Sequence, residues 1–201
     1  GTQFNIPIYI ALSDTHDMTA TFSWLTKENP LFQLEHRLNA EHSEYRTTGS
    51  FTRNKDGDYR WHVFNDDVIE LGDNLRATVF LERASDKTYL QKYGFYGDQP
   101  YLDSGAKLEL FGESGYVIAD AHIFQELRST RTQQISVPSG NILPNIHGTY
   151  QTDTFFHETF ATFNADILGI SGSGTSNQRV IGDVRVTSPW TLWGGNRVTA
   201  S

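Results

Sequence analysis

Turn-forming residues recur every 8–15 positions along this chain, and most segments between them alternate apolar and polar side chains. That rhythm suits strands joined by short loops and is the pattern of an antiparallel all-β domain. "FNIPIYIAL" (4–12) reads as an opening strand, with Pro7 marking an edge. "MTATFSWL" (18–25) sets Thr19, Thr21 and Ser23 against Ala20, Phe22 and Trp24. "NKDGD" (54–58) is a turn, because Asp-Gly supplies a positive φ at little cost. The strand after it places Tyr59, Trp61 and Val63 on one face, which is expected to be core. Arg60, His62 and Phe64 share the other face. Beyond the "ELGD" turn (70–73), Leu75, Ala77, Val79 and Leu81 are expected to point inward, opposite Arg76, Thr78, Phe80 and Glu82.

Other segments are less direct. "NPLFQLEHRLN" (29–39) fits a helix through Leu31, Leu34 and Leu38, or a strand through Phe32, Leu34 and His36. "QQISVPSGNILPNIHGTY" (133–150) reads as loop-rich, "TFFHETFATFNADILGI" (154–170) as strand, and "GISGSGTSNQ" (169–178) as a flexible loop. Charge divides the chain unevenly. Residues 1–103 carry ten Lys/Arg and sixteen Asp/Glu, and residues 104–201 carry six and eight. With the turn formers of "YGDQPYLDSG" (96–105), this predicts two β-rich modules, 1–103 and 104–201, or one larger sandwich that fuses them.

Composition narrows the partners. A net charge of −8 argues against nucleic acid, which needs cations to displace phosphate counterions, and against an anionic membrane surface. No apolar run approaches the length of a spanning helix, so the reading is no membrane insertion. The absence of cysteine removes disulfides, thiolate metal sites and a cysteine nucleophile.

Catalytic signatures are sparse. "HETFA" (157–161) begins like a zinc-protease helix but has Ala161 where the second ligand belongs. "DTHD" (14–17) offers Asp14, His16 and Asp17 without a third convergent ligand on one face. "DDVIELGD" (66–73) concentrates carboxylates without the spacing of a calcium loop. "GISGSGTS" (169–176) fits neither a phosphate-binding loop nor a nucleophile elbow. These readings predict no metal and no catalytic residue, and a non-enzymatic protein over a polysaccharide lyase or hydrolase. What remains is binding, because aromatic rings flanked by Asp, Asn and Arg suit sugar rings.

One run carries a resemblance. Gly49-Ser50-Phe51-Thr52-Arg53, Arg60-Trp61-His62-Val63-Phe64 and Leu71-Gly72-Asp73-Asn74-Leu75 follow one another as in the N-terminal β-1,3-glucan-recognition module of insect pattern-recognition proteins. The resemblance covers about residues 18–96. It implies an immunoglobulin-like β-sandwich, secretion and carbohydrate binding of the β-1,3-glucan kind. The strand "RATVFL" (76–81) departs from a family strand rich in Tyr and Trp, so the resemblance implies the fold more directly than the ligand. The expected ligand-binding residues are Arg60, His62, Phe64, Arg76, Phe80, Trp24, Trp190 and Trp193. No cofactor is expected. The alternative reading is an apolar small molecule, a pigment or lipid, held in an aromatic-lined pocket or at an oligomer interface. Self-association into a homo-oligomer through exposed strands is a further expectation.

Overall fold

Alternation along the chain resolves into strands that each pair with their neighbours in sequence. A computed structural model describes residues 1–95, 99–127, 140–156, 158–172, 175–191 and 197–200. Its strands are β1 (Gln3–Ser13), β2 (His16–Leu25), β3 (Leu31–Ala40), β4 (Ser43–Arg53), β5 (Tyr59–Gly72) and β6 (Leu75–Ala84). A short helix, α1 (Tyr89–Tyr93), interrupts them. Then come β7 (Tyr101–Gly112), β8 (Gly115–Glu126), β9 (Gly140–Gln151), β10 (Phe160–Gly172), β11 (Thr175–Thr191) and β12 (Arg197–Ala200).

All twelve belong to one antiparallel sheet in the order β1 to β12. The expected antiparallel all-β class is therefore present as a meander, and this order differs from the Greek-key order of an immunoglobulin-like sandwich. Among the described residues β1 and β12 are not paired with each other. The expected module boundary at residue 103 falls inside β7, which pairs with both β6 and β8.

The ambiguous 29–39 segment is strand, since Phe32 and Leu34 pair with Phe22 and Ala20 on one side and with Phe51 and Gly49 on the other. Two loop expectations are corrected. Residues 140–150 form β9, and 169–172 and 175–178 pair with each other as ends of β10 and β11. Both stretches take their order from the strands they pair with, which local composition does not register. The rest of 133–150 lies outside the described residues. The "NKDGD" turn is as expected, with Gly57 at φ 96° and the Asp58 amide donating to Asn54 Oδ1 at 2.7 Å.

Connections differ at the two ends of the sheet. Through β8, one end has two-residue turns at 14–15, 41–42, 73–74 and 113–114. The other end has longer connections, 26–30, 54–58 and 85–100, the last containing α1. The buried hydrophobic cluster sits at this long-connection end, where Tyr89 and Leu90 of α1 meet Leu31, Ala84 and Leu102.

Candidate functional site

Directly paired residues in an antiparallel sheet point to the same face, so the register assigns every side chain. One face collects Phe4, Ile6, Ile8 and Ile10 of β1 with Trp24, Phe22, Ala20 and Met18 of β2. It continues through Phe32 and Leu34, Phe51, and Trp61 and Val63. Farther along it carries Val79, Leu108, Leu110 and Val117, then Tyr150, Phe163, Ile167, Val180 and Val184.

This apolar face is open to its surroundings. Phe4 is 65% exposed, Trp24 56%, Ile8 56% and Trp61 42%. The expected core role of Trp61, Tyr59 and Val63 is thereby corrected, and so is the inward placement of the Val79 row. Both groups do share a face, but the buried side of the sheet is the opposite one.

Aromatic side chains on this face are not scattered. Phe4, Trp24, Phe22, Phe32, Phe51, Trp61 and Tyr59 run side by side across β1–β5 at the long-connection end. Phe32 stacks on Phe51 with ring centroids 5.2 Å apart. A second set, Tyr45, Tyr150, Phe163 and Trp190, lies toward the other end. Between the rims the side chains are mainly aliphatic or small. From Phe4 to Leu12 the apolar residues of β1 span eight steps, about 26 Å of extended chain.

Polar residues interrupt the apolar face, with Arg53 opposite Tyr59, Arg83 opposite Val63, and a cluster on β2–β5. His16 and His36 touch through their Nε2 atoms, and Thr47 donates to Asn65 at 2.5 Å. Beside them Asp67 keeps one buried carboxylate oxygen without a hydrogen-bond partner.

The other face is polar and densely paired. Arg37 meets Asp17 at 3.0 Å, Arg46 meets Glu35 at 2.9 Å and Lys107 meets Glu109 at 3.2 Å. His122 lies between two carboxylates, Asp103 at 2.9 Å and Asp120 at 3.2 Å. His147 contacts Asp166 at 2.5 Å through Nδ1 and Tyr116 at 3.0 Å through Nε2. Arg46, Phe64, Asp66, Phe80, Glu82 and Asp103 line an open cavity of about 520 Å³ on this face.

Neither a protein-family model nor a curated protein matches this chain. Its own geometry therefore carries the functional reading.

The expected ligand residues divide three ways. Arg60, His62, Phe64, Arg76 and Phe80 all lie on the polar face of β5 and β6. They do not form one site. Arg60 is committed to Asp86 by two bonds of 2.7 Å, and His62 is only 5% exposed, beneath α1. Arg76 pairs with Glu70 at the short-turn end. Trp24 and Trp190 are exposed on the apolar face. Trp193 lies outside the described residues.

Phe80 and Phe64 are the two that line the cavity. Phe80 lies across Gly105 toward His122, with ring centroids 5.4 Å apart. A Cβ at Gly105 would stand 2.1 Å from the Ala121 carbonyl oxygen and 2.7 Å from the Phe80 ring. Gly105→Val is accordingly expected to cost about 1–3 kcal/mol through overpacking. Urea unfolding checks this, and an unchanged midpoint would mean that the ring and the β7–β8 backbone yield freely.

Sequence reasoning missed α1 and its surroundings. Ser50 Oγ bonds both His62 Nδ1 at 2.7 Å and Tyr89 Oη at 2.6 Å. Burial lowers the His62 pKa to about 4 and pushes the Tyr89 phenol up to about 12, against the opposing bond from Ser50. Burial also works against ionisation of Asp86. Hydrogen bonds from Arg60, Thr88 and Ser85 outweigh it and hold that carboxyl well below the usual range. The available signal was "SDKTYLQKYG", where Gly94 closes the helix in the left-handed region at φ 72° and Lys92 sits in the last turn.

Proposed function

We propose that this sheet forms part of the wall of a membrane-embedded β-barrel of the outer-membrane type, with its apolar face on lipid and its polar face lining an aqueous interior. The observation that carries this reading is the exposed apolar face, with aromatic side chains at the long-connection end of β1–β5 and, toward the other end, chiefly on β9–β11. Along β1 it runs for nine residues, Phe4 to Leu12, within the roughly 9–11 that a tilted strand needs to cross a bilayer. Meander order and alternation support it as well. In water an apolar surface of this extent is a liability; in lipid it is the required exterior.

This reading departs from the expectation of no membrane insertion, which came from searching for a long apolar run. Alternating strands cross a bilayer without one. The wall itself needs no catalytic group. An immunoglobulin-like sandwich would instead lay a second sheet over the same apolar face.

Trp24, Trp61 and Trp190 supply the test. On folding into vesicles of brominated phospholipid their fluorescence is expected to be quenched, and the strands to resist protease. A protein that stays monodisperse in buffer without detergent, and is not quenched, would overturn the membrane reading and favour the sandwich. Ile8→Arg, midway along β1, is expected to cost about 2–4 kcal/mol of stability in the bilayer.

A second reading retains carbohydrate as a ligand of the polar face. The cavity lined by Phe64, Phe80, Arg46, Asp66, Glu82 and Asp103 supports it, since aromatic rings beside carboxylates and Arg suit a sugar. Calorimetry with laminarin tests it, and no heat with either the native protein or Phe80→Ala removes it.

A further inference from the structure

In the connection between β6 and β7, residues 85–95 leave the sheet, return over the polar face and become buried there. Tyr89 is fully buried and Leu90 nearly so. Phe64, Tyr93 and Phe95 pack against the same cluster. Beneath it lie Ser50, Thr52 and His62, polar groups that would otherwise face open space. A bidentate pair fastens the near end. Arg60 donates to both carboxylate oxygens of Asp86, and Thr88 adds backbone and hydroxyl bonds of 2.9 Å each. The Arg60 guanidinium also lies over the rings of Tyr89 and Tyr93, at 5.4 and 5.9 Å.

The sheet is loosened where this segment is rooted. Pairing between β6 and β7 stops at Phe80 and Gly105, although β6 continues to Ala84. Beyond that point side chains substitute for the ladder. Gln125 accepts from the Ala84 amide at 3.1 Å and donates to the Ala84 carbonyl at 2.7 Å. Ser104 Oγ does the same for Glu82, at 3.0 and 2.9 Å.

We propose that Ser85–Phe95 is a latched lid that closes the long-connection end of the polar face, with the Arg60–Asp86 pair as its latch. The inference rests on the wall reading, in which that face borders water and α1 obstructs passage along it. The solutes it holds back are small and polar, because the covered surface offers hydroxyl, imidazole and guanidinium groups. Three ion pairs fasten the segment, Arg60–Asp86 with two bonds of 2.7 Å, Lys87–Glu126 at 3.0 Å and Lys92–Glu28 at 3.1 Å, and of these Arg60–Asp86 is the one with bidentate geometry.

The experiment compares the wild-type protein with Asp86→Asn, Arg60→Ala and a variant in which residues 86–94 are replaced by a Gly-Ser linker. Two readouts are taken: ion conductance in planar bilayers, and hydrogen exchange of residues 88–95 in detergent micelles. Loss of the charge-assisted pair is expected to raise exchange of that segment about tenfold. Both latch variants and the linker variant are expected to conduct more than wild type. A linker variant with wild-type conductance, or latch variants with unchanged exchange, would overturn the lid. A wild-type protein that does not insert sinks the wall reading instead, and exchange in micelles then still decides whether the latch holds the segment.

Discussion

Tyr89→Ala is expected to lower stability by about 3–5 kcal/mol, the range for truncating a large, fully buried aromatic side chain. Tyr89 has no exposed surface and is central to the cluster of Leu31, Ala84, Leu90 and Leu102. Its ring packs 4.9 Å from Tyr93 and 5.8 Å from His62, and its hydroxyl meets Ser50 at 2.6 Å. Tyr89→Phe separates the contributions. It removes the hydroxyl but leaves Ser50 bonded to His62 Nδ1, so a loss of about 1 kcal/mol is expected. Urea titration followed by near-ultraviolet circular dichroism measures both. A loss below 1 kcal/mol for Tyr89→Ala would mean that this cluster does not support the fold.

Acidification is expected to weaken the same region through His62. The folded protein holds this imidazole neutral, with a pKa of about 4 against an ordinary value of 6.5. Between those values the unfolded chain binds the extra proton and the folded protein does not, so stability rises with pH there. The loss begins as pH falls below about 6.5 and is complete below about 4, where it reaches about 3 kcal/mol. Around the ring lie the Ser50 and Tyr89 hydroxyls and the Phe64 and Phe95 rings. The nearby ion pair is Arg60 with Asp86, and none of these groups is an unpaired anion placed to receive an imidazolium. The informative quantity is the difference from His62→Asn. That variant should show the flatter profile between pH 7 and 4, and parallel profiles would refute the assignment.

Alternation made the strands legible, and Asp-Gly made the turn at 54–58 legible, because both signals are local. The partition of β5 into Trp61 and His62 faces was equally plain. Which face is buried was not. A period of two is symmetric: it separates two sides without saying which meets water, protein or lipid. Assigning Trp61 to a core assumed the usual preference of large apolar side chains for the interior, and here the interior cluster is assembled around His62 and Ser50 instead. That cluster depends on α1, a five-residue helix whose partners on β4 and β5 are about 25 to 40 positions earlier in sequence. Local propensity does not reach so far. The five expected ligand residues of β5 and β6 were correctly grouped on one face, yet Asp86 and Tyr89 from the following connection had already engaged Arg60 and covered His62.

The unbroken neighbour-to-neighbour order of the strands has a consequence for how the chain reaches this state. Each ladder joins segments adjacent in sequence, so closing one hairpin brings together only a short stretch of chain. The sheet can grow by adding one strand at a time to a free edge, without waiting for distant partners to meet. The same order lets strands be removed from either edge without crossing a ladder between the remaining ones, a freedom that a Greek key does not have.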